Sequence, residues 1–113
     1  MTEISVALDG GRPVSLVAEG HSGFADRGED IVCAGVSALV QALLYGFETV
    51  ARSPGFSFSI DEENARMVLD WRRSPPEKSA LLVETIVGSL KEIARVYPEH
   101  VRILEVHVDD MEF

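Results

Sequence analysis

The chain has 113 residues, 46% of them hydrophobic, which is enough for one cored domain and too few for two. Ten Lys and Arg against 19 Asp and Glu leave a formal net charge of −9, which argues against non-specific nucleic-acid binding and adsorption to an anionic membrane. A single Cys excludes an internal disulfide and a Cys-rich zinc module.

Ile4, Val6 and Leu8 alternate with Glu3, Ser5 and Ala7, the period of a half-buried strand. Asp9-Gly10-Gly11 follows as a turn, and Val14, Leu16 and Ala18 then alternate with Ser15 and Val17. A hairpin over about residues 3–19 is expected, with Pro13 at the start of its second strand. Residues 20–30 break the periodicity with Gly20, Gly23 and Gly28 and are expected to form a loop that ends at Asp30, a good helix N-cap. From residue 31 to 51, Val32, Val36, Leu39, Leu43, Phe47 and Val50 recur at helical spacing and predict one long helix. Gly35 and Gly46 lie inside it, where each costs about 1 kcal/mol in propensity but allows another element or a substrate to approach closely. This segment is the longest apolar one. Ser37, Gln41, Glu48 and Thr49 interrupt it, so no stretch approaches the roughly 20 uninterrupted apolar residues of a spanning helix.

Ser53-Pro54-Gly55 ends that helix. A second hairpin is expected from the alternation of Phe56, Phe58 and Ile60, a turn over residues 61–64, and Met67, Leu69 and Trp71. Ser74-Pro75-Pro76-Glu77 carries the marks of a capping box with proline at the first helical position. The helix it announces has Leu82 or Val83, Ile86, Leu90 and Ile93 as its buried stripe and stops at Tyr97-Pro98. A last strand over residues 101–108 lacks strict alternation, as a central strand or a bulged one would, and the tail 109–113 is expected to be loose. The order is ββ-α-ββ-α-β. It predicts a single α/β (α+β) two-layer domain over 1–113, with a mostly antiparallel sheet of about five strands packed with two long helices. No P-loop or Gly-x-Gly-x-x-Gly fingerprint is present, so nucleotide folds are poor candidates. The chain opens without a basic flank or an apolar signal core, and a cytoplasmic setting is expected.

Chemistry concentrates in residues 20–33, which hold the one Cys and one of three His. With Asp30 as N-cap, Cys33 falls in the first helical turn, where unpaired N–H groups and the dipole favour a thiolate. His21 stands at the other end of the loop, placed to take a thiol proton. On chemistry alone an inert, packed Cys33 and a nucleophilic one both remain open. Metal binding by Cys33, His21 and Asp26 is the weaker idea, because the spacing matches no metal pattern and a fourth ligand is missing. His100 and His107 read as ordinary surface or strand residues, and Arg72-Arg73 is too short for a nucleic-acid patch.

Gly20-His21, Gly28, Asp30, Val32-Cys33-Ala34 and Ser37 together resemble the signature of the bacterial ribosomal-processing cysteine protease (Prp) family, with the His-to-Cys interval in register. The resemblance extends over essentially the whole chain through its length and element order. It implies a cysteine endopeptidase with Cys33 as nucleophile and His21 as general base and acid, acting without a cofactor or metal. It further implies removal of the N-terminal extension of large-subunit ribosomal protein number 27, after a hydrophobic, aromatic-containing segment, by a homodimer. Phe24 packs against substrate or pins the loop in this reading. Asp26 and Asp30 are the acidic residues near His21, with Asp30 also a cap. Ser37 lines the pocket or bonds the carbonyl one turn back. The competing expectation is a non-catalytic acidic interaction module for a basic or ribosomal partner, and a third is a redox-sensing thiol protein.

Overall fold

The N-terminal alternation forms strands β1 (Thr2–Asp9) and β2 (Arg12–Glu19) in a computed structural model that describes residues 1–20 and 27–111, residues 27–30 by backbone alone. Gly10 and Gly11 have φ of 60° and 83°, the left-handed pair that a two-residue hairpin turn requires. The antiparallel register shifts between Ala7 and Leu8, which pair with Ser15 and Pro13, so Val14 is the extra residue of a bulge and Pro13 lies next to it.

Helix α1 (Arg27–Tyr45) runs into a π-helical turn at Gly46–Val50. Its buried stripe is Val32, Val36, Val40, Leu43 and Phe47. Two residues expected in that stripe differ: Leu39 is only partly buried and Val50 is 73% exposed. The wider winding of a π-turn breaks the three-and-four spacing just beyond Phe47 and carries Val50 off the stripe. The segment Ile31–Val50 has a mean hydropathy of 1.6 and is by length and composition apolar enough to cross a membrane, although Ser37, Gln41, Glu48 and Thr49 interrupt its apolar run. Its buried stripe belongs to a core completed by the sheet and the second helix.

Strands β3 (Ser57–Asp61) and β4 (Arg66–Asp70) form the second hairpin, followed by helix α2 (Ala80–Val96) and strand β5 (Val101–His107). The strands join in one sheet in the order β3-β4-β2-β1-β5. Among the described residues only the β1–β5 pair is parallel, so the sheet is mixed and mostly antiparallel. Ile4, Val6, Leu16 and Leu69 share the sheet face that meets Val32, Leu43, Phe47, Ile86 and Leu90 of the helices. Phe47 is central: its ring stacks on Phe56 at 4.8 Å and on Trp71 at 5.2 Å. Trp71 Nε1 donates to Pro13 O at 2.9 Å, which satisfies the one polar atom of a buried indole.

Three expectations are corrected. Strand β5 is an edge strand and keeps an unbroken register with β1, so it is neither central nor bulged. Its alternation fails because Ile103 packs on the core face while Leu104 and Val106 are also partly covered, opposite Ser5 and Ala7. Ser74 does not cap α2. A single 3₁₀ turn at Pro76–Lys78 delays the helix to Ala80, and Ser74 Oγ donates to Pro54 O at 2.9 Å instead. The tail is not wholly loose, since Val108–Asp110 winds into a 3₁₀ turn in which His107 Nδ1 accepts from Asp109 N at 3.2 Å. Of the two helical glycines, Gly46 marks a close approach, where a Cβ would overlap the Leu82 side chain. Gly35 meets only ordinary contact with Ile93 Cδ1 at 3.9 Å.

Candidate active site

Gly20 follows β2 with φ of 105°, and a Cβ there would overlap the Met1 carbonyl oxygen and lie 3.2 Å from Thr2 Cα. Both the backbone conformation and the space therefore demand glycine at the position just before His21. His21, Phe24 and Asp26 lie outside the described residues, as does the side chain of Asp30.

Helix α1 starts at Arg27, three residues before the expected cap. Asp30 is thus a helical residue and not the N-cap, and Cys33 stands in the second turn rather than the first. The apolar periodicity starts at Val32, whereas the helical backbone already includes residues 27–30, so the sequence pattern places the helix start too late. The unpaired N–H groups of the helix start belong to the turn before Cys33, so they do not supply the thiol with the stabilisation expected from first-turn placement.

Cys33 is a free, half-buried thiol flanked by the core residues Val32 and Val36. Its Sγ lies 3.0 Å from Thr2 Oγ1, a hydrogen bond in which either atom can donate. Thr2 is itself 5% exposed and its N–H donates to His100 O at 2.8 Å. The thiol therefore faces the start of β1, next to the strand end that leads into His21.

An open cleft of about 390 Å³ extends from Cys33 along α1, between that helix and the β3–β4 hairpin. Ala18, Val36, Val40, Ile60 and Met67 give it apolar walls, and Glu19, Asp61, Glu62 and Arg66 lie on its polar side. Arg66 Nε pairs with Glu19 Oε2 at 3.5 Å, bridging the cross-strand partners of β2 and β4. Asn64 donates to Asp61 from its backbone N at 3.1 Å and from Nδ2 at 2.7 Å. The side-chain bond from Asn64 is the main reason that the Asp61 carboxyl titrates below its ordinary range. Ser37 also lines the cleft, and its Oγ accepts from Gln41 Nε2 at 2.8 Å. The arrangement offers an accessible sulfur, a groove for an extended chain, apolar walls for a side chain, and an acidic rim.

Thr2, Gln41, Ile60 and the Glu19–Arg66 pair are site residues that sequence reasoning misses. Thr2 and Cys33 are 31 positions apart, and no local pattern joins them. His100, expected to be an ordinary surface residue, anchors Thr2 through its backbone carbonyl.

A family model described as "Cysteine protease Prp" matches residues 1–102. The Bacillus subtilis ribosomal processing cysteine protease Prp is 33% identical, the match covering 80% of this chain and 83% of that protein. A crystal structure of a Streptococcus mutans protein superposes with a TM-score of 0.84 at 29% identity, covering 95% of each chain. A Staphylococcus aureus ribosomal processing protease Prp, solved with a covalently linked product peptide, has a TM-score of 0.76. At 22% identity, over 93% of this chain and 99% of that one, it bears on the fold alone.

Proposed function

The chain belongs to the Prp family of cysteine proteases, and on that premise we propose that Cys33 is its nucleophile and His21 its general base and acid. The substrate in this reading is large-subunit ribosomal protein number 27, cut to remove its N-terminal extension. The observation that carries the reading is the half-buried thiol of Cys33 on the wall of the cleft, beside the strand end that leads into His21. His21 takes the thiol proton, and the sulfur attacks the scissile carbonyl. A C–S bond forms, the C–N bond breaks, and the His21 proton leaves with the new amino terminus. Water, deprotonated by His21, then hydrolyses the thioester to the carboxylic acid and restores the thiol.

The apolar walls at Ile60, Met67 and Val40 suit a hydrophobic or aromatic side chain next to the cut. The acidic rim at Asp61 and Glu62 suits the basic residues of a ribosomal protein beyond it. Phe24 and Asp26 support substrate or the loop that carries His21, Asp30 supports the same loop from the first turns of α1, and Ser37 lines the groove. The protein acts in the cytoplasm as a homodimer, with residues 1–113 of each chain forming one domain.

A synthetic peptide spanning the extension junction tests this directly, with products identified by mass spectrometry. One cut is expected after the aromatic-containing segment, and replacing its aromatic residues by Asp should stop cleavage. A peptide that binds but yields no product on long incubation would remove the assignment in favour of a non-catalytic binding module.

A further inference from the structure

We propose that Thr2 is a positioning residue for the nucleophile, its hydroxyl holding the Cys33 sulfur at the mouth of the cleft. This inference rests on the reading of Cys33 as nucleophile.

Three contacts converge on Thr2. Its Oγ1 meets Cys33 Sγ at 3.0 Å, its N–H is tied to His100 O at 2.8 Å, and its Cα lies where only glycine fits at position 20. Thr2 also pairs with Val101 across the parallel β1–β5 ladder. One residue thus joins the start of β5, the strand end that leads into His21, and the thiol. Its backbone is fixed from two sides, and a β-branched side chain has few rotamers to explore. The hydroxyl is therefore presented to the sulfur in a narrow range of positions.

The chemistry of the pair suits a nucleophile that changes protonation state. A threonine hydroxyl can accept from S–H and, by rotating its own hydrogen, donate to S⁻. The same contact serves the thiol before its proton leaves and the thiolate afterwards, and donation to an anion is the stronger of the two bonds. Helix α1 starts too early for its free N–H groups to stand at Cys33. Among the described residues, the hydrogen bond at the sulfur comes from β1 and not from the helix that carries the cysteine. Thr2 is 5% exposed, so water competes little for its hydroxyl.

The test compares Thr2→Val, Thr2→Ser and Thr2→Ala with the unmodified protein on the junction peptide, alongside alkylation of Cys33 by iodoacetamide at neutral pH. Thr2→Val keeps the branched shape and removes the hydroxyl. It should lower kcat about tenfold with KM unchanged within about twofold, and slow alkylation in parallel. Thr2→Ser restores the hydroxyl and should retain most of both rates. Thr2→Ala differs from Thr2→Ser by the hydroxyl alone and gives the same comparison if the valine variant does not fold. Normal rates in Thr2→Val, or equal impairment of Thr2→Ser and Thr2→Ala, would overturn the inference. Cleavage that survives Cys33→Ala would instead overturn the underlying assignment of the nucleophile, so the two failures are separable.

Discussion

Cys33→Ala is expected to lower kcat/KM on the junction peptide by about 10⁴-fold or more. Alanine has no atom that can form the covalent intermediate, and neither the cleft nor an imidazole can substitute for it. The change is mild for the fold. Alanine is the strongest helix former, and Cys33 is half-buried beside the core stripe rather than within it. Among the described residues, Thr2 Oγ1 is the group that loses its sulfur partner, at a cost of about 1 kcal/mol. Unfolding curves and the far-UV circular dichroism spectrum should therefore stay close to those of the unmodified protein. A variant that still cleaves the peptide at a comparable rate would exclude Cys33 as nucleophile.

Phe47→Ala should have the largest effect on stability, about 3–5 kcal/mol by chemical denaturation at unchanged slope. The Phe47 ring is 0% exposed and stacked between Phe56 and Trp71, the latter at an interplanar angle of 26°. Removing it takes away both stacking partners' contacts and opens a cavity where the π-helical turn meets the sheet. Neighbouring rings cannot collapse freely into that space. Trp71 is tethered through Pro13 O, and Phe56 is held in the segment that Ser74 binds through Pro54 O. A loss of this size is a large part of the 5–15 kcal/mol that typically holds a domain folded. A loss below about 1 kcal/mol would mean that the aromatic row is not a packing centre.

Both hairpins and both helices are legible in the sequence because each is written locally. Gly10-Gly11 specifies the first turn, Ser53-Pro54-Gly55 follows the first helix, and the two apolar periodicities separate strand from helix. The errors fall where a local pattern meets a distant partner. Ser74 has every mark of a capping box, yet its hydroxyl finds the Pro54 carbonyl 20 residues away. The uneven pattern of residues 101–108 suggests a central or bulged strand, whereas among the described residues strand β5 sits at an edge beside β1 in unbroken register. At the candidate site, the motif from Gly20 to Ser37 is visible as a motif, but the start of α1 is not. Polar helical residues before an apolar stripe look the same as a loop. The contact between Thr2 and Cys33 is set by the tertiary fold and has no trace in local sequence.

The central claim is that Cys33 is the attacking atom of a protease site. Labelling with a peptide chloromethyl ketone built on the extension sequence tests it most directly, because that carbon electrophile records which side chain reaches the position of the scissile bond. The expected result is one equivalent of adduct per chain, mapped by mass spectrometry to Cys33, with peptide cleavage lost in proportion. Loss of cleavage with the adduct on another residue, and Cys33 still free, would contradict it.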